Sequence, residues 1–487
     1  MAVMDLRWTR RGLGLTSLAL TACLACAGDL ASTGPEAEQG APTCEEGAAS
    51  ASAVDLRGAG RRSLAELAAL AVDGDEGERG EAIAALRGAG PAGLDAFIAL
   101  HGPALAEVPP PPASSDAAGE GGIRGLLRRW PAAGEGSRGA RNDARLDAAI
   151  DAICEQHGCR HTQLYWHTDL EAAMAEARAS GRPILSLRLL GALGEPLSCA
   201  NSRLFRTILY PALAPWLRAR FVLHWSSERP APVSTIDYGD GRQLTRTITG
   251  NSIHYVLDAD GRPVDAIPGL VAPPVFQRLL ERAAGLELEV RGQGEGVRQR
   301  RLADHHSQRL GELSVAWQAE MRAIGELPGR LPPRPGGARG GRTPRAADAM
   351  PLAISKMAVE MPMLGGLGIG GPTDDALWSR VADRHLGESE LMPASLRAMG
   401  ALEAITPAMR EASARSLATD TVQNEHLHHR TIHQWFADGS AGAGTLDALN
   451  RRVYDSLFLT PRGDPTLGLA PPEVFSGLAG GGWSATR

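Results

Sequence analysis

A single cysteine followed three residues later by a serine is the clearest chemical signal in this sequence. Cys199 and Ser202 lie in the stretch "LSCANSR" (197–203), where a helix is predicted to begin. A cysteine at a helix N-terminus meets the positive end of the helix dipole and free backbone N–H groups, which favour the thiolate form. Ser202 is placed to donate a hydrogen bond to that thiolate, and Arg203 adds positive charge nearby. The pattern predicts a nucleophilic thiol.

Two further cysteines, Cys154 and Cys159, stand only five residues apart. On a continuous helix they would be too far apart to bridge, but Gly158 can end the helix and let them approach. The same stretch, "CEQHGCRH", holds His157 and His161, so a zinc site is an alternative. Structural zinc sites usually draw ligand pairs from well-separated segments, and four ligands in eight residues is a cramped arrangement. A disulfide or plain local structure is therefore the preferred interpretation.

A histidine-rich stretch, "DTVQNEHLHHRTIHQWF" (420–436), is the third candidate. Glu425, His429 and His433 follow one another at intervals of four and would line one side of a helix, where they could align as metal ligands. Their spacing is neither the H-E-x-x-H of zinc proteases nor the paired E-x-x-H helices of di-iron bundles. The preferred interpretation is a helix packed against its neighbours, so the sequence predicts no metal site and no cofactor.

The N-terminus carries an export signal. Three arginines within the first eleven residues precede an apolar run that is too short to span a bilayer but suits a secretory signal peptide. The run ends in "LTAC" (20–23), which resembles a bacterial lipobox, in which the cysteine, here Cys23, is lipidated. Cleavage after "ACA" (25–27) is the competing interpretation. The preferred prediction is a lipoprotein facing the periplasm, and a soluble secreted or periplasmic protein is the alternative.

Composition limits the partners and the redox state. A net charge of −6 and a pI near 6.1 give no general attraction to nucleic acid or to anionic membranes, so no nucleic-acid partner is expected.

Export brings the six cysteines into an oxidising compartment. Lipidation of Cys23 leaves an odd number, so at least one thiol is free or pairs with another chain. A bridge between Cys154 and Cys159 leaves Cys199 without an obvious partner.

Shifts in composition divide the chain into helical, mixed and linker segments. The mixed segment alternates helices and apolar strands and is predicted to form a small α/β sandwich, with one helix interrupted at Pro211. The predicted segments are a signal peptide with lipobox (1–23), a disordered tether (24–60), a small helical unit (61–106), a linker (107–145), the α/β domain (146–288), a helical extension (289–326), a second linker (327–349), an all-α domain (350–460) and an irregular tail (461–487).

The α/β segment resembles the exported thioredoxin-like superfamily. The resemblance rests on "LYWHTDLEAAMAEARASGRPILSL", then Cys199, then "RFVLHW" and "VLDADGRPVDAIPGL", which agree with that family in order and approximate spacing. It implies a thioredoxin-like domain at 146–288, with Cys199 as the nucleophile and Ser202 in the position of the resolving cysteine, so that C-x-x-C becomes C-x-x-S. The loop that carries the cis-proline of the family corresponds to Asn251 and Ser252.

Two functions follow from this resemblance. The first is monothiol thiol–disulfide exchange or isomerisation through Cys199, with protein thiols or disulfides of the envelope as partners. Because serine cannot resolve a mixed disulfide, a simple dithiol reductase is not expected unless another cysteine takes part. The second is a redox-inactive thioredoxin-like scaffold or binding module, anchored to the membrane by its N-terminal lipid.

Overall fold

The described part of the chain begins after the predicted signal peptide and tether. A computed structural model describes residues 62–107, 138–327, 329, 353–355, 375–441, 444–463, 466 and 478. The predictions for 1–60, for nearly all of the second linker and for most of the tail therefore lie outside the described residues.

Four helices form the first unit, one more than the predicted segment contains. Their shared core holds Phe97 from the third helix together with Ile150 and Ile153 from the fourth. The fourth helix begins inside the predicted linker (107–145), so that boundary and the start of the next domain at 146 are wrong. Leu146 and Ala149 of the fourth helix are buried in the same core, and the last residue of this helix is Cys154. The helices are α1 (Leu64–Asp73), α2 (Glu76–Gly88), α3 (Pro91–Ala106) and α4 (Arg138–Cys154).

A mixed α/β layer follows, and its elements appear in the predicted order of helix, strand, helix, strand, hairpin, strand pair and helix. They are α5 (Leu170–Ser180), β1 (Ile184–Leu190), α6 (Ala200–Leu204), a π-helical turn (Phe205–Leu209), α7 (Tyr210–Arg220), β2 (Val222–Arg229), β3 (Val233–Asp237), β4 (Gln243–Thr247), β5 (Ile253–Leu257), β6 (Pro263–Pro268), α8 (Pro273–Val290) and α9 (Glu295–Ala323).

The main sheet has the strand order β2-β1-β5-β6, and β3 and β4 form a separate hairpin. Strand β1 runs parallel to β2 and antiparallel to β5, and β5 is antiparallel to β6. Every residue of β1, β5 and β6 is buried. Since side chains alternate between the two faces of a strand, all three strands are covered on both faces.

Polar residues of β1 are paired across the sheet. Ser186 lies opposite His224 in the register, and its hydroxyl is 2.8 Å from Nδ1 of that histidine. Arg188 lies opposite Ser226, to which it donates a hydrogen bond of 3.2 Å, and is 3.6 Å from the carboxylate of Glu228. These pairs satisfy polar groups that burial would otherwise leave without partners.

The sequence predicted that the helix between β1 and β2 would be interrupted at Pro211, but the helix continues through this residue. It widens instead into the π-helical turn just before the proline, where the Tyr210 N–H bonds to the carbonyl of Phe205, five residues back. A proline in a helix lacks the N–H donor, and its ring collides with the carbonyl four residues earlier. A wider turn at this point accommodates both effects and keeps the helix continuous.

In its described ranges the C-terminal segment is helical, as predicted, but it is not a separate domain. Ile432, Phe436 and Leu457 belong to the same hydrophobic core as Leu257 and Val264 of the sheet. A second, smaller core joins these helices to the end of α9. The helices are α10 (Asp375–Ala382), α11 (Pro393–Gly400), α12 (Pro407–Gln423), α13 (Arg430–Ala437) and α14 (Leu446–Arg452), with π-helical turns at Asn424–His429 and Val453–Leu457.

In the described ranges no helix is both long and apolar enough to cross a membrane.

The shared core predicts that the sheet and the C-terminal helices unfold together. Ile432→Ala in α13 and Leu257→Ala in β5 each truncate a side chain with no exposed surface, and each should lower the free energy of unfolding by about 2–5 kcal/mol. Denaturant unfolding followed by far-UV circular dichroism and by tryptophan fluorescence measures this, and both probes should report one transition.

The exposed Leu288 on α8 provides the control for these two variants. Leu288→Ala should change the free energy of unfolding by no more than about 0.5 kcal/mol. Two separated transitions, one shifted only by Ile432→Ala and the other only by Leu257→Ala, would show that the C-terminal helices form an independent domain.

Candidate functional site

Cys199 is the N-cap residue of α6, directly after the loop that leaves β1. Its backbone N–H donates to the carbonyl of Leu190 at 3.1 Å, and its own carbonyl accepts from the N–H of Arg203 at 3.2 Å. These two bonds join the end of β1 to the first turn of the helix. The position at the helix N-terminus is the one that the sequence predicted.

The sulfur of Cys199 lies in a buried pocket of hydroxyl groups. Its Sγ is 3.1 Å from the hydroxyl of Ser252 and 3.5 Å from that of Ser202. The Ser202 hydroxyl is in turn 2.7 Å from the hydroxyl of Ser198. All four side chains are fully buried, with exposures of 0%. The thiol can therefore form hydrogen bonds with these hydroxyls, but its burial prevents the sulfur of another molecule from reaching it.

The loop that carries Asn251 and Ser252 faces Cys199, as the resemblance implied. Gly250 has φ +120°, and a Cβ atom there would lie 3.1 Å from Cβ of Cys199, so the loop approaches closely only because this residue is glycine. Asn251 Oδ1 accepts from the backbone N–H of Ser252 at 2.9 Å and from the side-chain amide of Asn201. Among the described residues no peptide bond is cis.

A residue from the far end of the chain completes the site. The hydroxyl of Tyr454, in the last π-helical turn, donates to the backbone carbonyl of Asn251 at 2.9 Å. Tyr454 is itself 1% exposed. In a thioredoxin-like protein, backbone groups of this loop are where an extended substrate would bind. Here one of them is already bonded to the chain itself, a contact that no local sequence pattern could have indicated.

Two arginines follow Cys199 on this helix, and both donate hydrogen bonds to other segments. Arg203, expected to supply positive charge, donates to the hydroxyl of Thr247 in β4 at 2.8 Å. Arg206, one turn further along the helix, donates to the carbonyl of Leu193 at 2.8 Å. Burial lowers the pKa of Arg206 to about 10, which leaves it charged at neutral pH. Both arginines therefore hold loops in place around the helix.

Cys154 and Cys159 form a disulfide at the end of α4. Gly158 adopts a left-handed conformation with φ +72°, which turns the chain back as the sequence suggested. The carboxylate of Asp151 accepts from the backbone N–H groups of Gly158 at 3.0 Å and Cys159 at 2.8 Å. With the two sulfurs bonded to each other, neither is a zinc ligand. The disulfide lies in the core of the first helical unit, whereas Cys199 lies in the core of the sheet.

A cleft of about 310 Å³ lies beside α6 and the disulfide loop. Its charged groups are engaged within the protein: Arg160 donates to the carboxylate of Asp147 at 2.6 Å and to the carbonyl of Ala104 at 2.9 Å. Cys199 is not among the residues that line it. The cleft is therefore separate from the thiol.

The histidine-rich stretch contains a π-helical turn, which changes the predicted row of side chains. Glu425 is drawn towards Arg309, with 3.8 Å between the carboxylate and the guanidinium. His429 and His433 come together with Asp265 of β6. The alternative row of Glu425, His429 and His433 therefore does not assemble as one group, because Asp265 lies beside the two histidines in place of Glu425. Asp265 could not have been found from the sequence, because it lies 164 residues from His429.

Comparisons with models of known protein families, with curated proteins and with solved structures found no match to this chain.

Buried histidines predict that acid destabilises the protein. Burial alone lowers the pKa of His254 in β5 to about 3, whereas in the unfolded chain a histidine titrates near 6.5. As the pH falls from 7 to 5 the unfolded state gains a proton that the folded state does not. The free energy of unfolding should therefore drop by about 2 kcal/mol for this histidine, and His254→Gln should make the measured pH dependence shallower by that amount.

Tyr210→Phe is the matched control, because it removes the 2.7 Å contact between the Tyr210 hydroxyl and His254 Nε2 but keeps the histidine. It should lower stability at every pH and leave the slope unchanged. Equal slopes for His254→Gln and the wild type, in denaturant unfolding at several pH values, would contradict the assignment of His254 as the titrating group.

Proposed function

We propose that this chain is a redox-inactive protein of thioredoxin-like topology that serves as a scaffold in the bacterial cell envelope. The observation that carries the proposal is the complete burial of the Cys199 sulfur among the hydroxyls of Ser198, Ser202 and Ser252. Thiol–disulfide exchange requires a thiolate to reach a second sulfur in line. A thiol with no exposed surface behaves as a small core residue instead.

The topology supports the thioredoxin-like part of the proposal. The strand order β2-β1-β5-β6, with a parallel first pair and an antiparallel second pair, agrees with the order of segments on which the resemblance rests. Cys199 begins the helix that connects the two parallel strands, the position of the nucleophile in that family. The serine at position 202 and the absence of another free cysteine near the site in the described ranges both argue against a catalytic cycle.

The contacts of the C-terminal helices support the scaffold part. Tyr454 bonds to the loop that would otherwise receive a substrate, and the Tyr255 hydroxyl in β5 donates to the side chain of Asn450 in α14 at 3.1 Å. The hydroxyl of Ser395 in α11 also donates to the carbonyl of Ile208 in the crossover helix, at 2.7 Å. The sheet domain thus uses the surfaces around its cysteine to hold the helices of its own chain.

The redox-inactive assignment is tested by alkylation of the native protein, with the labelled peptides identified by mass spectrometry. The Cys199 peptide should react roughly 100-fold or more slowly than a cysteine introduced at the exposed end of α5 by Ser180→Cys, because it is labelled only when the structure opens. In denaturant both peptides should react at similar rates. Native labelling of Cys199 as fast as Ser180→Cys, with half-maximal reaction below pH 8.5, would establish the thiol-exchange function instead.

The envelope location rests on the "LTAC" pattern and is tested by Cys23→Ser. In the native bacterium the wild type should sediment with membranes, and the variant should lose the lipid and leave the membrane fraction. Cys26→Ser, three residues further along, is the control and should stay with the membranes. Equal fractionation of wild type and Cys23→Ser would exclude the lipid anchor.

A further inference from the structure

Four buried polar side chains from three separate elements meet next to the sheet. Asp265 comes from β6, His429 and His433 from the C-terminal helical segment, and His306 from α9. None is more than 4% exposed. One side-chain atom from each of Asp265, His429 and His433 lies within 4.8 Å of the other two, which is the spacing of a metal-ligand set.

Hydrogen bonds determine which nitrogen of each ring carries a proton. His306 Nε2 is 3.0 Å from the carbonyl of Val264, an acceptor only, so this nitrogen must be the donor. A neutral imidazole carries a single proton, so with Nε2 as the donor the Nδ1 of His306 is an acceptor. That Nδ1 lies 2.7 Å from Nδ1 of His433, which must therefore donate. The remaining nitrogen of His433, Nε2, is left with a lone pair.

The lone pair on His433 Nε2 has no donor. The atom is fully buried and makes no hydrogen bond. A buried polar atom left without a partner costs about 1–3 kcal/mol and calls for an explanation. A neutral imidazole whose other nitrogen donates a hydrogen bond is the form in which histidine binds metals.

We propose that Asp265, His429 and His433 bind a divalent transition-metal ion of the zinc type, and that His306 is a positioning residue that holds His433 in the metal-binding tautomer. Two imidazoles and a carboxylate are ligands suited to zinc and its neighbours, whereas magnesium and calcium prefer oxygen ligands only. The proposal is independent of the proposed function, because it concerns neither Cys199 nor the location of the protein.

The electrostatics of the cluster fit a cation. Burial by itself would raise the pKa of Asp265, but His429 beside it, at 3.0 Å from the carboxylate, brings the pKa well below its usual range, and the group is ionised. The 3.0 Å contact between His429 and Asp265 accounts for the carboxylate without a metal. It does not account for the lone pair on His433, which a metal between the three groups would satisfy.

The burial of the cluster indicates a structural role for the ion. A site with ligands no more than 4% exposed has no open position for a substrate from solvent. The ion would join β6 to the helix that contains His433, at the same junction where the sheet shares its core with the C-terminal helices. Metal bound only by the folded protein adds its binding free energy to stability.

The test uses the full chain, unfolded in denaturant with a chelator to remove metal and refolded with or without Zn²⁺. The wild type refolded with Zn²⁺ should retain one ion per chain after dialysis and melt roughly 5 °C higher when free zinc is 100-fold above Kd. Refolding with Co²⁺ should give visible absorption without the charge-transfer bands of sulfur ligands, which distinguishes this site from the cysteines. A wild type with no retained ion and no change in Tm would overturn the proposal.

Variants assign the ion to these ligands. His433→Gln and the isosteric Asp265→Asn should each abolish the retained ion and the rise in Tm. His426→Gln is the matched control, since it removes a buried histidine of the same helical segment that packs on Trp317 instead, and it should retain both. His306→Gln should weaken zinc binding about tenfold or more, as loss of a supporting hydrogen bond does at known metal sites. Equal retention in His433→Gln, Asp265→Asn and His426→Gln would overturn the proposal.

Discussion

The structure depends on the burial of three adjacent strands over their whole length. Side chains of a strand point alternately to its two faces, so a strand in which every side chain is buried must be covered on both faces. A single layer of helices covers only one face of a sheet. In this chain α8 and the C-terminal helices, which follow these strands in the sequence, share the core with β1, β5 and β6. That requirement explains why the C-terminal segment is not a domain of its own.

The same burial governs the chemistry of the cysteine. A helix N-terminus with hydroxyl groups around the sulfur would favour a thiolate at a surface, and these features are all present at Cys199. Removing the sulfur from solvent leaves the hydrogen bonds intact but closes the route by which another sulfur would arrive. The three serines then have a structural role, since they pair with one another and with the thiol in a region where unpaired polar groups would be costly.

Several polar groups elsewhere in the core are bonded in pairs. Ser186 with His224 and Tyr210 with His254 each join a hydroxyl to a buried imidazole. Burial lowers the pKa of His224 and of His254 to about 3, so both rings stay neutral at neutral pH. Acid therefore destabilises the folded protein, because these histidines take up protons more readily in the unfolded chain. Other buried rings, His254 among them, also keep a nitrogen without a hydrogen bond, but His433 is the one that lies beside both a carboxylate and a second histidine in the described residues.

The local elements follow from the sequence by itself. Asp169 and Gly181 delimit α5 because a carboxylate caps the first turn of a helix and a glycine accepts the left-handed conformation at its end. Apolar runs and the Asp-Gly turn likewise identify β1, β2 and the β5–β6 pair, and Gly158 explains how Cys154 and Cys159 approach. The order of these elements, together with the position of Cys199 before a helix, was enough to predict a mixed α/β core.

Only the tertiary structure decided what surrounds these elements. The sulfur of Cys199 lies against Ser252, in a loop that is bonded in turn to Tyr454. The carboxylate beside His429 comes from β6. None of these partners is near in sequence. Predicting the face of a helix from the sequence also assumes a rotation of 100° per residue. The π-helical turns before Tyr210 and before Arg430 break this assumption and shift which residues share a face. Local patterns determine the conformation of each segment, but burial and partner choice arise from contacts between distant segments, because the hydrophobic effect is not directional.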